Sequence, residues 1–139
     1  MAEQCYLHLP AGAPLPALSS ARPLRVAVVV EQDCPNDWRN AVCDWLFKAG
    51  CRYLVAWGKD CSGWDDAMDW TCLEACKFSA SMGPDFVMTT WHDDEPLFEA
   101  LAFAKHAANH PVLSLPDFCL LHIAPAPRKN ELLQIYDAA

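Results

Sequence analysis

Glycine is scarce in this chain, with five residues in 139. Phosphate-cradling loops depend on closely spaced glycines, and neither Gly-x-Gly-x-x-Gly nor the Walker loop Gly-x-x-x-x-Gly-Lys occurs, so backbone recognition of a pyrophosphate is not expected. The Gly-x-Ser-x-Gly turn of serine hydrolases is missing too. No apolar run approaches the roughly 20 residues of a membrane-spanning helix. The first twenty residues hold Pro10, Pro14 and Pro16 and no basic start, which does not read as a secretory signal. Cations are few: ten Lys and Arg stand against eighteen Asp and Glu, for a net charge of −8. Arg25, Lys48, Lys59, Lys77, Lys105 and Arg128 are also scattered, so neither nucleic acid nor an anionic membrane is an expected partner. The expected location is the cytoplasm.

Apolar side chains, by contrast, are plentiful. They make up 53% of the residues and include six Trp and six Phe. A chain of this length buries about two-thirds of its unfolded surface, enough for one aromatic-rich core. The eight cysteines do not imply a disulfide framework, because Cys43, Cys51 and Cys119 fall inside predicted regular elements, where a reduced thiol packs as a small apolar residue.

Residues 1–23 form a Pro-rich arm in which only Tyr6 to Leu9 looks extended, fit to add an extra strand at a sheet edge. Residues 24–139 read as a single α/β domain. Arg25–Val30 is a β-branched run suited to a strand covered on both faces. Pro35 then opens a helix with Trp38, Val42, Trp45, Leu46 and Ala49 at helical spacing, closed by Gly50. The unit recurs as a strand at Cys51–Trp57, a loop at Gly58–Gly63 and a helix from Trp64 to about Ser81, with Asp65, Asp66 and Asp69 assigned to the positive end of its dipole. A third strand at Phe86–Trp91 leads into a helix from Pro96 with Leu97, Leu101, Ala104 and Ala108 on one stripe. A fourth strand, Phe118–Ile123, precedes a last helix from Arg128 to about Asp137.

Alternation of strand and helix predicts a small three-layer α/β/α sandwich around a mainly parallel, four-stranded sheet. An order of 2-1-3-4 puts the reversal of strand order between the first and third strands. In such sheets ligands bind at the carboxyl ends of the strands, where the order reverses. The loops there supply Glu31, Asp33 and Cys34, then Asp60 beside Trp57, then Trp91, His92, Asp93 and Asp94, and finally His122. These ten residues are the candidate site.

Two chemistries suit it. Carboxylates beside an imidazole fit a divalent cation or proton transfer, which makes a cation-dependent enzyme or phosphoryl-type switch at the ends of the first and third strands one reading. Such an acidic edge is similar to that of response-regulator receiver domains, although the chain is one βα unit short of that family and has no lysine on a fifth strand. The favoured reading is a non-catalytic binding or accessory protein, which meets a protein partner or small ligand through an acidic edge carrying tryptophan. No specific cofactor is implied.

Each residue also has a plainer role. Asp93 or Asp94 serves as a helix cap ahead of Pro96. Cys34, at a helix start, is the thiol best placed to be reactive. Cys61, Cys72 and Cys76 with His92 would make a zinc site, though core packing ranks above it because Cys-x-x-Cys pairs are absent. His8, His106 and His110 read as surface residues. A small sheet has edges to cover, so a homodimer is a third reading.

Overall fold

The computed structural model describes residues 3–18, 22–76 and 83–139. Five strands and four helices alternate: β1 (Gln4–Leu9), β2 (Leu24–Val30), α1 (Asn36–Ala49), β3 (Cys51–Gly58), α2 (Cys61–Ala75), β4 (Met88–His92), α3 (Leu97–His106), β5 (Asp117–Ile123) and α4 (Lys129–Ala138). All described strand pairings are parallel. The chain is therefore α/β, with the N-terminal extended piece as a fifth strand. No helix of the described residues is long and apolar enough to cross a membrane.

Side-chain alternation along the strands sorts the core into two layers. Val26, Val28 and Val30 of β2 face α1 and α2, where they meet Val42, Leu46, Trp64 and Met68. Ala27 and Val29 face the other way, against Leu101 and Ala104 of α3 and Leu132 and Tyr136 of α4. All eight cysteines belong to the α1/α2 layer and none to the other. They are free thiols, five of them buried. They act as the small apolar fillers expected of them.

The strand order differs from expectation. The sheet runs β1-β5-β2-β3-β4, so the reversal falls between β2 and β5 and not between the first and third predicted strands. The physical reason lies in the helices. α1 and α2 pack side by side on one face and carry two successive steps in one direction, and α3 then returns the chain across the opposite face to the other side of β2. Both solutions bury the same apolar residues, so periodicity does not distinguish them.

The Pro-rich arm is tied to this frame. Trp38 and Trp45, seven residues apart on α1, donate their indole N–H groups to the carbonyls of Ala13 (2.9 Å) and Pro16 (2.8 Å). α2 begins at Cys61, earlier than predicted, after Asp60 adopts a left-handed conformation with φ 52°. Its predicted end near Ser81 lies outside the described residues. His110 and His8 are not bare surface residues. His110 is buried, accepts the N–H groups of Val112 and Leu113 on Nδ1, and reaches the Phe86 carbonyl through Nε2 at 2.7 Å. His8 Nε2 lies 2.7 Å from the Ala124 carbonyl.

Candidate functional site

The carboxyl edge of the sheet holds all ten predicted residues, but the fold divides them among three stations. The first stands at the reversal point. Glu31 follows β2 and His122 lies next to the end of β5, and their contact is 2.6 Å between Glu31 Oε1 and His122 Nε2. Two residues that sequence reasoning missed complete it. Tyr6 Oη lies 2.7 Å from His122 Nδ1 and accepts the Arg128 backbone N–H at 3.0 Å, while the Arg128 guanidinium donates to Glu31 Oε2 at 2.6 Å.

The hydrogen-bond directions follow from donor inventory. A carboxylate only accepts, so His122 donates from Nε2. Its Nδ1 then takes the single hydroxyl proton of Tyr6, so both ring nitrogens of His122 and both oxygens of Glu31 are matched. Burial pushes the Glu31 carboxyl up, but hydrogen bonds from Arg128 and His122, with the Arg128 charge, outweigh it and hold the pKa below the ordinary carboxylate value. With His122 fully buried and Glu31 doubly paired, this station clamps β1, β5, β2 and the start of α4 together.

The second station joins the loops after β2 and β3. Arg39 of α1 pairs with Asp60 at 2.8 Å, and Lys59 stands 4.0 Å from Asp33. With Cys34 they line a cavity of about 80 Å³. Burial raises the Cys34 thiol, and the Asp33 and Asp60 charges raise it further against the pull of Arg39. The lowering expected of a helix start is not seen here, because burial, with the Asp33 and Asp60 charges, outweighs Arg39. The thiol with the opposite shift is Cys5, which a hydrogen bond from Cys119, directly opposite on β5, lowers to about 7 against its own burial.

The third station is the end of β4. Trp57 donates its indole N–H to the Glu95 carbonyl at 2.7 Å, and His92 Nδ1 donates to Glu95 Oε2 at 2.6 Å. His92 is buried against Phe103, with ring centroids 4.8 Å apart. Beside it stand Trp91, 52% exposed, and the exposed Asp93 and Asp94. The capping role is corrected here: α3 is entered at Pro96 with no side-chain cap, and Asp94 instead makes the turn itself at φ 59°.

Glu31 and Asp33 of the first loop do not join Asp93 and Asp94, because β3 lies between the strands that carry them. The thiols Cys61, Cys72 and Cys76 do not gather with His92 either. Among the described residues the one group of metal-ligating side chains within reach of a common ion is Asp65, Asp66 and Asp69. The spacing Asp-Asp-x-x-Asp on a helix was the available signal for it. The dipole reading of these three is corrected, since the early start of α2 leaves none of them in its first turn.

A family model described as Domain of unknown function (DUF7684) matches residues 4–139. The chain belongs to this family. The match opens on the first residue of β1, so the strand that supplies Tyr6 and the arm that meets Trp38 lie inside the family's bounds. No curated protein and no solved structure matches the chain.

Proposed function

We propose that this protein is a non-catalytic binding module whose acidic, tryptophan-bearing edge at the end of β4 receives a basic segment of a protein partner. The observation that carries this reading is the composition of that edge. Trp91 presents a half-exposed indole, and Asp93 and Asp94 beside it pair with no cation among the described residues. An exposed aromatic face flanked by unpaired carboxylates attracts an Arg or Lys side chain by stacking and by charge together. β4 is also an edge strand, whose outer side pairs with no described strand. An extended partner segment gains backbone hydrogen bonds there, as in strand addition. By contrast, the donors and acceptors at the reversal point are spent on one another, which suits a clamp better than a reaction centre.

The test is calorimetric titration of the whole chain with an Arg-rich peptide, a Lys-rich peptide and an acidic peptide of equal length. Binding of the basic peptides alone is expected, weakening with salt. Trp91→Ala and the double variant Asp93→Asn, Asp94→Asn should each weaken it about tenfold while leaving the melt unchanged, since neither change touches the core. Binding that ignores both variants, or none at all, overturns the assignment.

A further inference from the structure

The three aspartates on α2 lie outside the edge just described. Asp65 and Asp69 are one turn apart, so they share a face, and Asp66 stands beside them; one carboxylate oxygen from each falls within 4.8 Å of the others. Like charges this close repel, and the expected compensation is missing. The helix dipole is of little help, because its effect fades beyond the first turn and these residues begin after it. Among the described residues no Lys, Arg or His pairs with any of the three.

Asp65 sharpens the point. It is only 4% exposed, wedged between α2 and the sheet, and its Oδ1 has no hydrogen-bond partner. Buried carboxylates are normally fully matched. The neighbouring donor is Thr89 of β4, whose single hydroxyl proton goes to Asp69 Oδ1 at 2.7 Å. Asp66 and Asp69 stand exposed, but Asp65 is held inside with one oxygen unmatched beside them, and positive charge is lacking at a place where hard oxygen atoms converge.

We propose that Asp65, Asp66 and Asp69 bind a hard divalent cation of the Mg²⁺ or Mn²⁺ class, with Thr89 orienting Asp69 from behind. Carboxylate oxygens in this number are the donor set such ions take, with water completing the shell. The ion supplies the positive charge that the Asp65 carboxylate lacks.

The experiment is titration of the chelator-treated whole chain with Mn²⁺, read by loss of the six-line electron paramagnetic resonance signal of the free ion. One saturable equivalent per chain is expected, displaced by Mg²⁺. Asp65→Asn and Asp69→Asn should each abolish it or weaken it about a hundredfold, and Thr89→Val should cost about tenfold, as loss of a group orienting a ligand does. Unchanged circular dichroism guards against misfolding. The Asp93→Asn, Asp94→Asn variant should bind Mn²⁺ as the wild type does, so this site and the β4 edge stand or fall separately. Absence of saturable binding overturns the proposal, as does binding that survives both Asp65→Asn and Asp69→Asn, which would be diffuse attraction to an acidic chain.

Discussion

His122 Nε2 and Glu31 Oε1 lie 2.6 Å apart although 91 residues separate them in sequence. The contact spans the reversal point of the sheet, and Tyr6 and Arg128 extend it to the N-terminal strand and the last helix. Partly buried around a fully buried His122, such a network is stabilising only while it is whole.

Removing one member therefore costs more than one hydrogen bond. His122→Phe keeps the volume but strands the Tyr6 proton and one Glu31 oxygen, and should lower urea-unfolding stability by about 2–4 kcal/mol. Acid sensitivity tracks the same network. Glu31 titrates below its ordinary value of 4.5, so its stabilisation is complete above that pH and is lost as pH falls through the lowered value. Glu31→Gln should accordingly flatten the acid limb of the stability curve below about pH 4.5; an unchanged limb would place the acid-sensitive group elsewhere.

Asp65 carries the opposite sign. Its carboxyl, raised from 3.8 to about 6 by burial and by the neighbouring Asp69 and Asp66 carboxylates, holds a proton in the fold that the unfolded chain has already released. In chelator-treated protein, stability should fall as pH rises between those two values and stay low above them. Asp65→Asn removes that loss and should be more stable at pH 7.5, by up to about 3 kcal/mol. Thermal melts of both proteins at pH 4 and pH 7.5 decide it, since a gain of equal size at both values would point to packing instead.

Two glycines should respond very differently to alanine. Gly58 ends β3 at φ 104°, and a Cβ there would lie 2.1 Å from the Val30 carbonyl oxygen, a rigid backbone atom already bonded to the Lys59 N–H. Gly58→Ala should cost at least about 3 kcal/mol. At Gly63 a Cβ meets Asp60 Oδ2 at 2.5 Å and Arg39 NH1 at 2.6 Å, the side-chain ends of an ion pair whose Asp60 half is exposed. Gly63→Ala sits in the first turn of α2 and should stay within about 1 kcal/mol of wild type, because gained helix propensity offsets the weakened pair.

Thiol reactivity should rank the cysteines by environment. Burial pushes Cys43 and Cys51 up to about 12, and Cys5 is lowered to about 7. A brief iodoacetamide pulse at pH 7.5 on the native protein, read by peptide mass spectrometry, should label Cys5 ahead of Cys34 and leave Cys43 and Cys51 untouched until the chain is unfolded. Labelling of Cys34 first would show that the Asp33 and Asp60 charges do not govern that thiol.

Local periodicity was enough to find four strands and all four helices, with Tyr6 to Leu9 as the extra edge strand, because each is encoded by neighbours in sequence: the valines of β2, the Trp38-to-Ala49 stripe closed by Gly50, and Pro96 ahead of α3. It also placed Glu31, Trp91 and His122 at one edge, since every strand of a parallel sheet ends on the same side. Which of them meet was set by strand order, and that depends on the faces taken by the helices. Asp93 and His122 were therefore grouped although the sheet holds them apart, and Tyr6 and Arg128 were passed over because nothing near them in sequence predicts a shared partner. Asp65 is the same lesson at short range. Its helix was foreseen, but its burial against Thr89 came only when α2 lay down on β4. The amino-acid sequence alone determined the elements and the edge, through nearest-neighbour sterics and hydrophobic spacing. The pairing of charges was decided by tertiary packing, because Coulomb and hydrogen-bond contacts form only between groups the fold has already brought within reach.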